Sequence, residues 1–281
     1  MAPLPDVSPL STLSSIMVPV DLGAQAERRV RFAVELADRF SSHLVGIGAE
    51  ELVSPLYFES SIGGTPGYIE LEKQRVATDL KQAAALFQRL AGARSAEWRS
   101  DVTQSSPFLC KQARACDLVV VSRQGVHDEQ QGPMTAAPAD LVMTAGRPIL
   151  VLPPLKERAS FKRIVIAWKD AREARRAIWD GLPFLKRADT VFILGVGRRE
   201  MKESVDDVAV YLRRHGISGE PVVRSEGERS VGDDIIQFAD DEGADLIVSG
   251  AFGQSRAREW IFGGVTRDLL NETRVCCLLS H

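Results

Sequence analysis

The sequence predicts an α/β protein made of two tandem, doubly wound, five-stranded parallel-sheet domains. Three observations predict it. Short, near-continuous apolar runs alternate with segments of helical periodicity, the pattern of strands covered by helices on both faces. The whole alternation occurs twice, as strand, helix, strand, helix, strand, helix, strand, helix, strand. Right-handed crossovers between such parallel strands then leave the doubly wound sheet as the topology. The domains are placed at residues 1–155 and 160–281, because residues 153–158, Pro-Pro-Leu-Lys-Glu-Arg, have the composition of a linker.

In the first copy the apolar run Ile16-Met17-Val18-Pro19-Val20 ends at Asp21. Val30, Ala33, Val34 and Ala37 then fall on one helical face. A second strand follows at His43-Leu44-Val45-Gly46-Ile47. Residues 49–70 form an excursion rich in glycine, proline and serine, which is either functional or disordered in a domain of this size. A long helix is expected over about residues 69–90, with Leu80, Ala83, Ala84 and Phe87 on one face. The copy closes with strands in Asp117-Leu118-Val119-Val120-Val121-Ser122 and Pro148-Ile149-Leu150-Val151-Leu152. The second copy repeats this: Ile164-Val165-Ile166-Ala167-Trp168-Lys169, then Ala174, Ala177, Ile178 and Leu182 on one helical face, then Val191-Phe192-Ile193-Leu194-Gly195-Val196. Asp245-Leu246-Ile247-Val248-Ser249 matches the run that starts at Asp117, and Arg274-Val275-Cys276-Cys277-Leu278-Leu279 matches the one after Arg147.

The bulk numbers set limits. A hydrophobic fraction of 44% and a charged fraction of 26% are those of an ordinary globular protein. A net charge of -3 argues against nucleic acid and against an anionic membrane surface as partners. No apolar run approaches the roughly 20 residues that span a bilayer, and the first residues lack a basic n-region and an h-region, so a cytoplasmic location is expected. The four cysteines form no C-x-x-C pair and are expected to be reduced, structural thiols. His43, His127, His215 and His281 are scattered, so no metal site or histidine triad is expected. Gly63-Gly64 and Gly263-Gly264 are not followed by G-K-[ST], and no G-x-G-x-x-G follows the first strand, so neither nucleotide fingerprint is present. Charged runs such as Arg172-Glu173-Ala174-Arg175-Arg176 read as solvated helix faces. No nucleophile–base pair stands out, and catalysis is not expected beyond slow ATP hydrolysis as a side activity.

The chemistry gathers near the C-terminus. The run ending at Ser249 passes into Gly250 and Gly253, and a polar stretch with Arg256 and Arg258 leads to Gly263-Gly264-Val265-Thr266, where a new helical pattern opens. A strand, a loop and a helix start in this order present unpaired backbone N–H groups and a positive dipole end to an anion. Glycines let the backbone approach it.

On these residues the chain resembles a tandem universal stress protein over nearly its whole length. The family's loop runs glycine, two residues, glycine, nine residues, glycine, then serine or threonine; Gly250, Gly253 and Gly263 keep that spacing. The resemblance implies the fold of the adenine nucleotide alpha hydrolase-like proteins and a site for ATP, with Mg, or a related adenine nucleotide. The implied site residues are Gly250, Gly253, Gln254, Gly263, Gly264, Val265 and Thr266 on the loop, with Ala167, Trp168 and Asp170 at the end of the first strand and Val196 or Gly195 beside the base. Trp168 is placed to stack on adenine or to fill its slot, and Arg256 and Arg258 are candidate phosphate partners.

Two departures weaken the loop. Gly264 stands where the family has a hydroxyl, a loss of about 1.5–3 kcal/mol of contact to a charged group. Lys169 stands where it has an aspartate. The first copy departs further. Asp21 holds the acidic position, but Ser122 replaces the first glycine, no glycine closes the nine-residue spacing, and Asp140 is placed to cap the following helix itself. That half is therefore expected to bind no nucleotide. The alternative reading is an interaction scaffold of the same fold with no nucleotide. The resemblance also implies that the terminal strands pair, here as an internal pseudo-dimer, with a homodimer as a further partner arrangement.

Overall fold

In the computed structural model the described residues are 13–53, 66–124, 132–154, 156, 158–197, 201–253 and 264–281. The first half runs β1 (Ser15–Pro19), α1 (Ala26–Phe40), β2 (His43–Ala49), α2 (Pro66–Ala91), β3 (Ala96–Asp101), α3 (Ser105–Gln112) with a 3-10 turn at Ala113–Ala115, β4 (Leu118–Ser122), α4 (Pro138–Thr144) and β5 (Ile149–Leu152). The second runs β6 (Arg163–Trp168), α5 (Arg172–Leu185), β7 (Thr190–Val196), α6 (Met201–Arg214), β8 (Gly219–Arg224), α7 (Val231–Asp241), β9 (Leu246–Gly250), α8 (Gly264–Glu272) and β10 (Cys276–Ser280). The alternation expected from the sequence is therefore present in both copies. Most of the 49–70 excursion, residues 54–65, lies outside the described residues.

All pairings within a half are parallel, and the two halves join through β5 and β10, which run antiparallel with Leu278 opposite Leu150. The result is one ten-stranded sheet in the order β3-β2-β1-β4-β5-β10-β9-β6-β7-β8. The order in which strands are added reverses between β1 and β4 and between β6 and β9, and crevices for ligands form at such points beyond the strand ends. Each half anchors its first strand with the same device. Asp117 accepts the Ser14 and Ser15 N–H groups at 2.7 and 3.0 Å, and Asp245 accepts those of Lys162 and Arg163 at 2.9 and 3.2 Å.

The helix faces read from the sequence are the buried ones, except that Leu80 and Ala84 of α2 are half-buried. Val30, Ala33, Val34 and Ala37 on α1, Ala174, Ala177, Ile178 and Leu182 on α5, and Ala83 and Phe87 on α2 all enter the core on one side of the sheet. Leu141 and Val142 of α4, Ile235 and Phe238 of α7 and Leu269 of α8 cover the other side. The edge strands β3 and β8 are partly exposed and carry charges, and β8 holds Pro221, which offers no N–H to a further strand.

The halves also meet through rings. Phe32 and Phe40 of α1 come from one half. Phe161 and Phe184 come from the other, and they pack as Phe32–Phe161 (6.1 Å), Phe161–Phe184 (5.3 Å) and Phe40–Phe184 (5.3 Å) between centroids. The Arg187 guanidinium lies 4.1 Å above the Phe40 ring and donates to the Arg39 carbonyl at 2.7 Å. Arg39 donates in turn to the Ala159 carbonyl.

All four cysteines are free thiols. Burial pushes the Cys277 thiol up to about 12 and Cys276 further in the same direction, which suits filling the centre of the sheet and not nucleophilic chemistry. Among the described residues no helix is long and apolar enough to cross a membrane.

Candidate functional site

A cavity of about 440 Å³ lies beyond the ends of β6, β7 and β9, where the strand order reverses between β6 and β9. This is the size of a small-molecule site. Its floor is Ala167, Leu194 and Val196 from the strands, and its walls are Gly250 and Gly253 after β9 and Gly264, Val265 and Thr266 at the start of α8. Trp168, Lys169 and Glu173 close the side toward α5. Eight of the eleven residues singled out from the sequence thus converge on one cavity: Ala167, Trp168, Val196, Gly250, Gly253, Gly264, Val265 and Thr266. Gln254 and Gly263, with Arg256 and Arg258, lie outside the described residues.

The remaining one, Asp170, sits elsewhere. Its side chain is exposed and forms an ion pair with Arg175. It lines a neighbouring groove of about 730 Å³ between α5 and α6, together with Trp179, Tyr211 and Asp207. Trp168 lies between the two spaces. Its indole is 7% exposed, and Nε1 donates to Ser204 Oγ at 2.7 Å, so the ring is fixed in the wall. Of Val196 and Gly195, the first lines the cavity. A Cβ on Gly195 would stand 2.5 Å from Met201, so that glycine admits α6.

Gly250 is required by contact. A Cβ there would stand 2.5 Å from the Ala174 nitrogen and 2.6 Å from the Glu173 carbonyl carbon, both backbone atoms at the start of α5. Backbone cannot step aside as a flexible side chain does, so Gly250→Ala is expected to cost about 1–3 kcal/mol as overpacking, read as a lower urea midpoint. A midpoint equal to that of the parent would refute this close packing.

The loop then turns through Phe252, whose φ of 54° is left-handed and uncommon outside glycine. Thr266 holds that turn: its buried Oγ1 accepts the Phe252 N–H at 3.2 Å. The hydroxyl two places beyond Gly264 is therefore used inside the loop. At Gly264 a Cβ would meet nothing within 4 Å among the described residues, although the residue lacks a hydroxyl. The first amides of α8 have no partner within the helix by position, and their residues, Gly264, Val265 and Thr266, line the cavity with Gly253.

Glu173 was not singled out from the sequence except within a charged run. It is 2% exposed, at the second position of α5. Its Oε1 accepts from Arg172 Nε at 2.5 Å, and its Oε2 is buried without a hydrogen-bond partner among the described residues. Burial alone would push the Glu173 carboxyl up. Arg172, the residue's own backbone N–H and the charge of His281 outweigh it and hold the group below the usual carboxylate range.

The matching place in the first half is filled by the chain itself. Arg29 of α1, 3% exposed, donates from one terminal nitrogen to Asp21 Oδ2 at 2.6 Å, from the other to Ser122 Oγ at 2.9 Å, and from Nε to the Pro19 carbonyl at 2.9 Å. Asp21 also accepts the Gly23 N–H at 2.8 Å. Asp21, the end of β1 and the residue in the place of the first loop glycine are thus tied to one guanidinium. The expected capping role of Asp140 is corrected: Ala137 is the N-cap of α4, without a side-chain cap, and Asp140 lies inside the first turn. Pro138 opens that helix and has no N–H to offer an anion.

Residues 178–281 match the sequence model of the universal stress protein family. Over the whole chain the fold is similar to that of a universal stress protein from Archaeoglobus fulgidus DSM 4304, with 12% identity, 95% of this chain and 97% of that chain covered, and a TM-score of 0.71. It is also similar to a putative universal stress protein from Pseudomonas aeruginosa UCBPP-PA14, with 13% identity, coverage of 97% and 95%, and a TM-score of 0.56. At these identities the likeness is one of fold. No curated protein matches the chain in sequence.

Proposed function

From a second half that carries a universal stress protein family domain, we propose that this chain is a stress-response protein whose single ligand site, in that half, takes ATP or a related adenine nucleotide. The observation that carries the reading is the cavity at the reversal of strand order, where two loop glycines and the first residues of α8 stand over an apolar floor suited to a flat base. The first half supports the asymmetry, since Arg29 already occupies the ground under its loop. The role is that of a binding module acting through other proteins, in the cytoplasm; no pair of side chains in the cavity is arranged as nucleophile and base among the described residues.

The test is thermal melting with adenine nucleotides, alongside a search for co-purified nucleotide. A ligand at 100 times its Kd adds about 2.7 kcal/mol of stability. Gly253→Asp is expected to abolish that shift, because its new carboxylate would stand near Glu173, whose Oε2 is 3.2 Å from the Cβ position at 253. A shift that survives in this variant would place the ligand elsewhere. A second reading, a scaffold without nucleotide, is favoured by the use of the Thr266 hydroxyl within the loop. It is the one that stands if no adenine ligand moves the melting temperature.

A further inference from the structure

The groove between α5 and α6 has a lining of its own. Trp168 bounds it beside Ser204, and Trp179 and Tyr211 line it further along the two helices. Trp179 is 45% exposed on a helix whose other large apolar side chains are buried. It and Tyr211 both pack against His215, at 6.3 and 4.7 Å between centroids, which holds the two rings in a fixed relation. The rings of Phe40, Phe192 and Phe238 each carry a guanidinium, whereas those of Trp179 and Tyr211 carry no cation among the described residues. On α6, Glu203, Asp207 and Tyr211 follow one another at i, i+4 spacing and all line the groove, so two carboxylates and a ring form one row with steps of about 6 Å. Asp170 is paired with Arg175. Neither Glu203 nor Asp207 has an ion pair or hydrogen bond among the described residues. The first half differs. Aligned on the two first strands, Arg31 stands in the place of Trp179, and Glu27 ties α1 to α2 by accepting from both Arg31 and Arg89.

We infer that this groove binds a linear aliphatic polyamine. Its ammonium groups meet Glu203 and Asp207, one nitrogen lies against Trp179 and Tyr211 as a cation on aromatic rings, and the methylene chain rests on Ile178 and Val208. Charge complementarity selects a cation, and the row on α6 selects one whose charges recur at short intervals along an apolar chain. A compact metal ion would leave the rings and the apolar wall unused. Trp168, fixed to Ser204, bounds the groove, so a short ligand is accommodated better than a polypeptide running through. The same ring separates the groove from the adenine cavity, so the inference is independent of the nucleotide reading.

The experiment is calorimetric titration of the full chain with spermidine at low ionic strength. One saturable site is expected, weakening as NaCl is raised. Trp179→Ala and Asp207→Asn are each expected to weaken it at least fivefold; both side chains are exposed, so the fold is not at stake. Glu35→Gln removes the same charge from an exposed position on α1 and is expected to leave the Kd within twofold. No saturable heat overturns the inference. So does an equal loss in Glu35→Gln, which would mean diffuse attraction to an acidic chain. Two further titrations can overturn it as well. Magnesium binding that depends on Asp207 but not on Trp179, at the expense of spermidine, would make the groove a metal site. A trilysine peptide that binds at least tenfold more tightly than spermidine would make it a docking groove for a basic protein segment.

Discussion

Phe184→Ala is expected to cost about 3–5 kcal/mol and to loosen both halves of the chain at once. The ring is 1% exposed and touches Phe161 and Phe40 edge-on, each at 5.3 Å between centroids. Phe40 belongs to α1 and Phe184 to α5, so the lost volume opens where the two helical layers meet. Truncation removes the transfer energy of the ring, leaves a cavity, and deletes two edge-to-face contacts worth about 0.5–1.5 kcal/mol each beyond their area. The measurement is urea unfolding followed by fluorescence and by circular dichroism. The midpoint should fall strongly by both probes. A loss below about 1 kcal/mol would mean that the aromatic row does not hold the halves together. Phe87 serves as a comparison: it is equally buried, but its ring partner is Trp98 within the first half. Phe87→Ala should therefore weaken the first half without reaching the junction.

Arg29→Ala is expected to have an effect of similar size for an electrostatic reason. The guanidinium and the Asp21 carboxylate are 3% and 5% exposed, 2.6 Å apart, with Ser122 and the Pro19 carbonyl taking the other donors. Removing one partner of such a pair leaves a buried charge without compensation and costs about 3–5 kcal/mol. The pair itself contributes much less than that figure suggests, because both charges were desolvated to form it. The double variant Arg29→Met, Asp21→Asn should therefore recover much of the loss, and a double-mutant cycle reads the difference. If Arg29→Ala is near neutral in urea melts, the guanidinium is not the plug described above. The variant has a second use. It empties the ground beneath the degenerate loop without restoring glycine at 122, so it should not create an adenine site there.

Much of the fold was legible because it is written in short-range patterns. Near-continuous apolar runs and period-3.6 signals gave the alternation, and the chain's likeness to itself gave its duplication, down to Asp117 and Asp245 at matching strand starts. The spacing from Gly250 to Gly253 and on to Thr266 marked the cavity wall. What the sequence hid are contacts made by charged side chains in places where charge is not expected. Glu173 was read with its exposed neighbours, and Arg29 was not singled out at all. Each nevertheless stands four residues before a core alanine, Ala33 and Ala177, and so lies on the buried stripe of its helix. A charge on that stripe was the available signal. Their partners could not be found that way: Ser122 is 93 residues from Arg29, and the glycine beside Glu173 is on another strand's loop. Asp170 shows the opposite case. Its position next to Lys169 suggested a site residue, but two residues past the strand end it is turned toward Arg175 and does not line the cavity.

The antiparallel seam between β5 and β10 has an evolutionary consequence. An assembly of two identical chains must carry every substitution in both copies, so a change that fills one binding site fills the other as well. Here the two copies are consecutive stretches of one chain, closed against each other by Val151, Leu150 and Ile149 facing Cys277, Leu278 and Leu279. Each copy can then drift under its own constraint. One holds a buried cross-brace centred on Arg29 at the place where the other keeps a cavity.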